Sequence, residues 1–222
     1  MPIPNMCKEH TFKGHGDSVD QLCWHPTNPD LLATASLDKT VRIWDAKSLK
    51  AVANIQTKGE NINICWSPNG QTIAVGCIYI LSYPDLQVRH ILNAHPANCI
   101  CIEFDKTGQY FATGSVDALV SLWDVETLVC VRTFSRLEWP VRTISFSYDS
   151  CMLASASEDH LVDIADVNTG EKIAEVPCES PTFTVAWHPK RHLLAFACDD
   201  KDKHVRERDA GTVKLFGLSS DS

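Results

Sequence analysis

His95, Ser115 and Asp117 are the side chains most suited to act together, because a hydroxyl, an imidazole and a carboxylate are the parts of an acyl-transfer site. Trp123 follows the aspartate by six residues. A second set, His15, Ser36, Asp38 and Trp44, repeats the serine-to-aspartate spacing of two and the aspartate-to-tryptophan spacing of six. Its histidine-to-serine spacing is one residue longer. A repeated copy argues for architecture rather than catalysis, and no strand-turn-helix nucleophile elbow surrounds Ser115. The hydrolase reading is set aside on those two grounds.

The elements that must carry these residues are short strands. Two apolar runs, 110–114 and 119–123, flank a turn centred on Asp117, which is the pattern of a β-hairpin. A large aromatic with an apolar residue two places before it recurs along the chain as Trp24, Trp66, Phe104, Phe146 and Trp187, at separations of 42, 38, 42 and 41. Each is followed by turn residues such as His25-Pro26, Ser67-Pro68 and His188-Pro189. Five strand-turn-strand units at nearly constant period make an array. With Gly14-His15 opening one unit, and Trp44-Asp45 and Trp123-Asp124 closing two, the array resembles the WD-repeat family, in which each repeat builds one four-stranded blade of a β-propeller. That resemblance implies a hydrogen-bonded chain inside a blade, here His15, Ser36, Asp38 and Trp44 in the first complete unit and His95, Ser115, Asp117 and Trp123 in the third. The carboxylate would fix the imidazole, the serine would bridge, and the indole N–H would donate.

The expected fold is all-β, one propeller domain with blades at about 13–56, 57–93, 94–135, 138–178 and 180–218. Unit two is damaged: 72–77 should be its second strand and 78–82 its third, with no turn between them. Antiparallel strands cannot reverse in zero residues, so either local residues are drawn into the turn or the junction fuses the front of one repeat to the back of a later one. The fusion is the preferred reading. Unit four keeps Ser157 and Asp159 but has Trp139-Pro140 where the histidine would stand and Ala165 for the tryptophan, so its polar network should be reduced. Unit five lacks a fourth strand after Phe216, while 8–12 is a strand-like run left over at the start. The expectation is that 8–12 completes the last blade and closes a five-bladed ring. The charged insertion that follows Asp200 carries Lys201, Lys203, His204, Arg206 and Arg208, the candidate partner-binding loop.

Composition narrows the function. The 222 residues carry a net charge of −8, which disfavours a salt-driven grip on phosphate backbones, and 44% hydrophobic content can fill a core. No apolar run reaches the roughly 18 residues that a membrane span needs. The ten cysteines include no C-x-x-C pair and sit mostly in apolar strand-like runs, so buried reduced thiols in an intracellular compartment are expected, with no metal site.

Four longer runs, 14–26, 57–68, 179–191 and 193–202, resemble one group more closely, the WD-repeat subunits of THO complexes. The resemblance implies a non-catalytic scaffold in the TREX assembly, which couples transcription and processing to mRNA export. It also implies a nuclear location, protein subunits as partners, indirect association with RNA, and no cofactor or small-molecule substrate. Members of the group are expected to have seven blades, so this chain resembles a shortened form. The competing class is a ubiquitin-ligase substrate receptor. Such receptors carry W-D-x-R, whereas the pairs here continue as W-D-A-K and W-D-V-E.

Overall fold

In a computed structural model, residues 10–76, 78–199 and 211–217 are described, and they contain nineteen strands and no helix. The first sheet is a meander of β1 (Val19–Trp24), β2 (Leu31–Ser36), β3 (Thr40–Asp45) and β4 (Lys50–Gln56). The second contains β5 (Ile64–Trp66), β6 (Thr72–Val75), β7 (Tyr79–Ser82) and β8 (Val88–Ile91). The third has β9 (Cys99–Phe104), β10 (Tyr110–Ser115), β11 (Val120–Asp124) and β12 (Cys130–Phe134). The fourth has β13 (Val141–Phe146), β14 (Met152–Ser157), β15 (Leu161–Asp166) and β16 (Lys172–Pro177). The fifth holds three strands among the described residues, β17 (Thr182–Trp187), β18 (Leu193–Asp199) and β19 (Gly211–Gly217). All neighbouring strands pair antiparallel.

The residue after each recurring aromatic holds the first turn of its sheet. The His25 Nδ1 accepts the amides of Thr27 and Asn28, the Ser67 hydroxyl accepts that of Thr72, Asp105 accepts that of Tyr110, and Ser147 accepts that of Met152. The aspartate after each tryptophan holds the third turn. Asp45 accepts Lys47 N and the Ser48 hydroxyl, and Asp124 accepts the amides of Glu126 and Thr127. Asp166 does the same for Thr169 although Ala165 has replaced the tryptophan beside it. These short polar side chains substitute for backbone partners in tight turns, so the turns recur where the sequence repeats.

Sheets pack face on face through four apolar cores. The first-to-second core includes Ala33, Val41, Ile43, Ile64, Trp66 and Leu81, and the second-to-third core includes Ala74, Ile80, Ile102, Phe104, Phe111 and Trp123. Leu122, Val141 and Phe146 belong to the third-to-fourth core, and Ala154, Ile164, Val185 and Trp187 to the fourth-to-fifth. Gly114 makes one close approach possible: a Cβ there would lie 2.5 Å from Cys101 Sγ and 2.7 Å from Val141 Cγ1 of the next sheet. The innermost strands are stitched in sequence, with Ile64 N donating to Gln21 Oε1 at 2.6 Å, Asn63 to Ile100 O, and Trp187 N to Ser145 Oγ at 3.3 Å.

One expectation is corrected. Residues 8 and 9 of the supposed closing strand lie outside the described residues, and His10 to Phe12 form no strand. The Phe12 ring sits 5.3 Å from Trp44 of the first sheet, so Phe12 covers blade one. No apolar core joins the fifth sheet to the first among the described residues. At the damaged junction, β6 stops at Val75 and β7 starts at Tyr79, which leaves 76–78 for the reversal, with Cys77 outside the described residues. Local residues are thus drawn into the turn and both strands shrink to four residues. Gly76 takes φ 54°, which costs glycine little, whereas the buried Ile78 takes φ 51°, a strained value for a β-branched residue.

Candidate functional site

Of the side chains singled out by spacing, the histidine, aspartate and tryptophan are joined in one chain inside blades one and three. In the third blade His95 Nδ1 lies 3.1 Å from Asp117 Oδ2, and His95 Nε2 lies 2.8 Å from Thr113 Oγ1. Trp123 Nε1 donates to that same threonine hydroxyl at 3.1 Å. The first blade repeats the geometry: His15 Nδ1 to Asp38 Oδ2 is 2.8 Å, His15 Nε2 to Thr34 Oγ1 is 2.7 Å, and Trp44 Nε1 to Thr34 Oγ1 is 2.8 Å. One proton arrangement partners every group. The indole donates to the threonine, the threonine O–H donates to Nε2, and the Nδ1–H donates to the carboxylate.

The bridge is therefore a threonine, and the serine reading is corrected. Ser36 and Ser115 stand beside the chain: each hydroxyl accepts the amide of its turn aspartate, Asp38 at 3.1 Å and Asp117 at 3.2 Å. Each also faces a backbone carbonyl, Asp17 O or Ala97 O, at 3.4 Å. Strand register explains the choice. Trp44 is paired with Leu32 and Trp123 with Phe111, so the residue two places along, Thr34 or Thr113, is the diagonal neighbour that an indole reaches. The serine is four places along. Thr113 is fully buried, so the hydroxyl on the imidazole is closed to any substrate carbonyl.

The turn carboxylates are held by several donors. Burial pushes the Asp38 carboxyl up, but the Thr40 hydroxyl, the Gly16 amide, His15 and the Thr40 amide outweigh it and hold it well below the usual carboxylate range. A carboxyl depressed on folding stabilises the folded state above its unfolded value of about 3.9 and loses that contribution as the pH falls through the lower folded value. Asp38→Asn should therefore destabilise the chain at neutral pH, and the difference from the parent should shrink once the pH drops below about 4. Urea midpoints measured at pH 7 and pH 3 check this.

Blades two and four solve the same problem with other residues. In blade four, Asp159 accepts the Ser157 hydroxyl at 2.6 Å and the amides of Glu138 and Trp139 at 2.9 and 3.2 Å, where the histidine would have donated. Arg136 forms a fork on the buried Asp163, with Nε to Oδ1 at 2.7 Å and Nη2 to Oδ2 at 2.8 Å, and a third bond to Gly170 O at 3.1 Å. The network is replaced there, not merely reduced. In blade two, Asn61 donates to Thr57 Oγ1 at 2.8 Å and Tyr79 OH accepts Lys58 N at 2.9 Å. Spacing could not reveal these partners. The available signal was a charged residue inside an apolar run, Asp163 in L-V-D-I-A-D.

A cavity of about 350 Å³ lies among the innermost strands, lined by Gln21, Asn63, Glu103, Arg142 and their neighbours. Gln21 Oε1 and Asn63 Nδ2 bond to adjacent sheets, and Arg142 pairs with Glu158 of its own blade. Glu103 is raised by burial despite Lys106 at 3.1 Å. Burial pushes Cys65 up to about 11 and Cys101 well above its ordinary value, away from thiolate chemistry. No three His, Cys, Asp or Glu side chains converge on a metal-sized site among the described residues. Lys201, Lys203, His204, Arg206 and Arg208 lie outside the described residues.

Comparison with known proteins places the chain. A family model described as "WD domain, G-beta repeat" matches residues 6–45, 86–124 and 128–165. THO complex subunit 3 of Arabidopsis thaliana is 43% identical, in an alignment covering 96% of this chain and 82% of that protein. This chain belongs to the WD-repeat family of THO complex subunit 3. That alignment runs over 258 positions against 222 residues, so at least 36 (258 less 222) face no residue here, close to the length of one repeat. A shortened family member is what the damaged second blade implied. WD repeat-containing protein AAC3 of Dictyostelium discoideum is 32% identical over 94% of this chain, which spans 53% of that longer protein. Pre-mRNA-processing factor 19 of Bos taurus is 26% identical over 61% of the chain and 28% of that protein.

Proposed function

We propose that this chain is a non-catalytic scaffold in the THO part of the TREX assembly, holding other protein subunits in the nucleus during the coupling of transcription and processing to mRNA export. The observation that carries this reading is the 43% identity to THO complex subunit 3 across 96% of the chain. The geometry supports a scaffold: the histidine, threonine, aspartate and tryptophan sets are spent on holding hairpins together, and Gln21 and Asn63 of the inner cavity each bond across to the next sheet. Association with RNA runs through partners, since a net charge of −8 supplies no general attraction for phosphates. The charged segment with Lys201, Lys203, His204, Arg206 and Arg208 is proposed as a partner-binding loop.

The tagged chain, recovered from nuclear extract after nuclease treatment, should bring THO subunits with it. Recovery of ubiquitin-ligase adaptors in their place, or loss of the THO subunits on nuclease treatment, would reject the proposal.

A further inference from the structure

The exposed faces of blades one and five are the two halves of a blade junction. At every internal junction the recurring aromatic of one blade packs on the blade before it: Trp66, Phe104, Phe146 and Trp187 are all 8% exposed or less. Trp24, the same position in blade one, is 53% exposed, and Leu22 two places before it is 57% exposed. At the other end, blade five presents the face with which blade four receives its neighbour. Register places Leu193, Ala195, Ala197, Val213 and Leu215 where blade four has Met152, Ala154, Ala156, Val162 and Ile164. Val162 and Ile164 are fully buried, whereas Val213 and Leu215 are 75% and 66% exposed.

We propose that two copies of this chain associate head to tail, blade five of one packing on blade one of the other. The new junction repeats the part of the fourth-to-fifth junction that the second and third strands of blade four supply, with Leu22 and Trp24 of one copy entering as Val185 and Trp187 do. Its charges match as well. At the existing junction His192 Nε2 meets Asp149 Oδ2 at 2.8 Å. The equivalent positions at the new one are Asp30 in blade one, which also pairs with Lys47 of its own blade at 2.6 Å, and Lys190 in blade five, an anion facing a cation, and Lys190 is exposed. A heterologous contact of this kind uses two different patches of one chain.

The test is sedimentation equilibrium of the chain from about 1 to 100 µM, the range in which modest interfaces assemble. The parent should self-associate. Trp24→Asp and Leu215→Asp, both at exposed positions, should each be monomeric, because every contact then has one broken half. Mixed in equal amounts they should form a 1:1 complex and nothing larger, blade five of the first variant meeting blade one of the second. Lys190→Glu should weaken self-association about fivefold, the effect of a partly exposed pair, and mixing with Asp30→Lys should restore the contact. A parent that stays monomeric over the whole range, single variants that still assemble, or a mixture that does not would each overturn the proposal.

Discussion

Thr113→Val should lower the stability of the chain by about 2–4 kcal/mol, while Ser115→Ala should cost about 1 kcal/mol, although both remove one buried hydroxyl from the same strand face. The difference follows from what each hydroxyl holds. Thr113 takes the Trp123 indole N–H at 3.1 Å and serves His95 Nε2 at 2.8 Å, so valine of the same shape strands two buried polar groups at once. Ser115 accepts one turn amide at 3.2 Å and reaches Ala97 O at 3.4 Å, and water near the turn can replace part of that. Urea midpoints and slopes measure both losses, the slope showing whether the array still unfolds cooperatively. A cycle with Trp123→Phe isolates the bridge: the indole and the threonine should couple by about 1 kcal/mol or more, the indole and the serine by nearly nothing. Equal losses for the two variants would return the bridge to the serine.

The outcome of that comparison also explains which parts of the molecule a reader of the sequence can see. Hairpins and sheets were legible because strand patterning, turn side chains and a period near forty residues are local properties, and the recurring aromatics mark the first strand of all five sheets. Histidine, aspartate and tryptophan were legible for the same reason. The threonine was not, because Thr113 and Ser115 share a face by the two-residue alternation of a strand, and only the register of Trp123 on Phe111 separates them. The place of the first segment was illegible for a different cause. A leftover strand at one end and a missing strand at the other suggest pairing, but whether blade five reaches blade one depends on sheet-to-sheet packing angles, which no local pattern encodes. Phe12 found a nearer apolar partner in Trp44. At the damaged junction the pattern located the defect, and chain geometry decided its repair: a reversal needs residues, and 76–78 supplied them.

Arg136→Ala should be among the costliest single changes in the chain, at about 3–5 kcal/mol, because it leaves the Asp163 carboxylate buried without its counter-charge. Asp163 is only 2% exposed and lies on β15 opposite Ser155, in the position that Ser121 occupies opposite Thr113 in blade three. Blade four has lost the histidine and the tryptophan, and Arg136 enters the vacated side, forks onto Asp163, caps Gly170 O and lays its guanidinium 5.5 Å from the Phe134 ring. Removing one partner of such a pair is far more damaging than removing both, since desolvating the ions opposes most of their attraction. Arg136→Met combined with Asp163→Leu should therefore recover most of the stability lost in Arg136→Ala, measured as the urea midpoint. If the double variant were no more stable than the single one, Arg136 would be holding blade four through Gly170 and Phe134 rather than through the charge on Asp163.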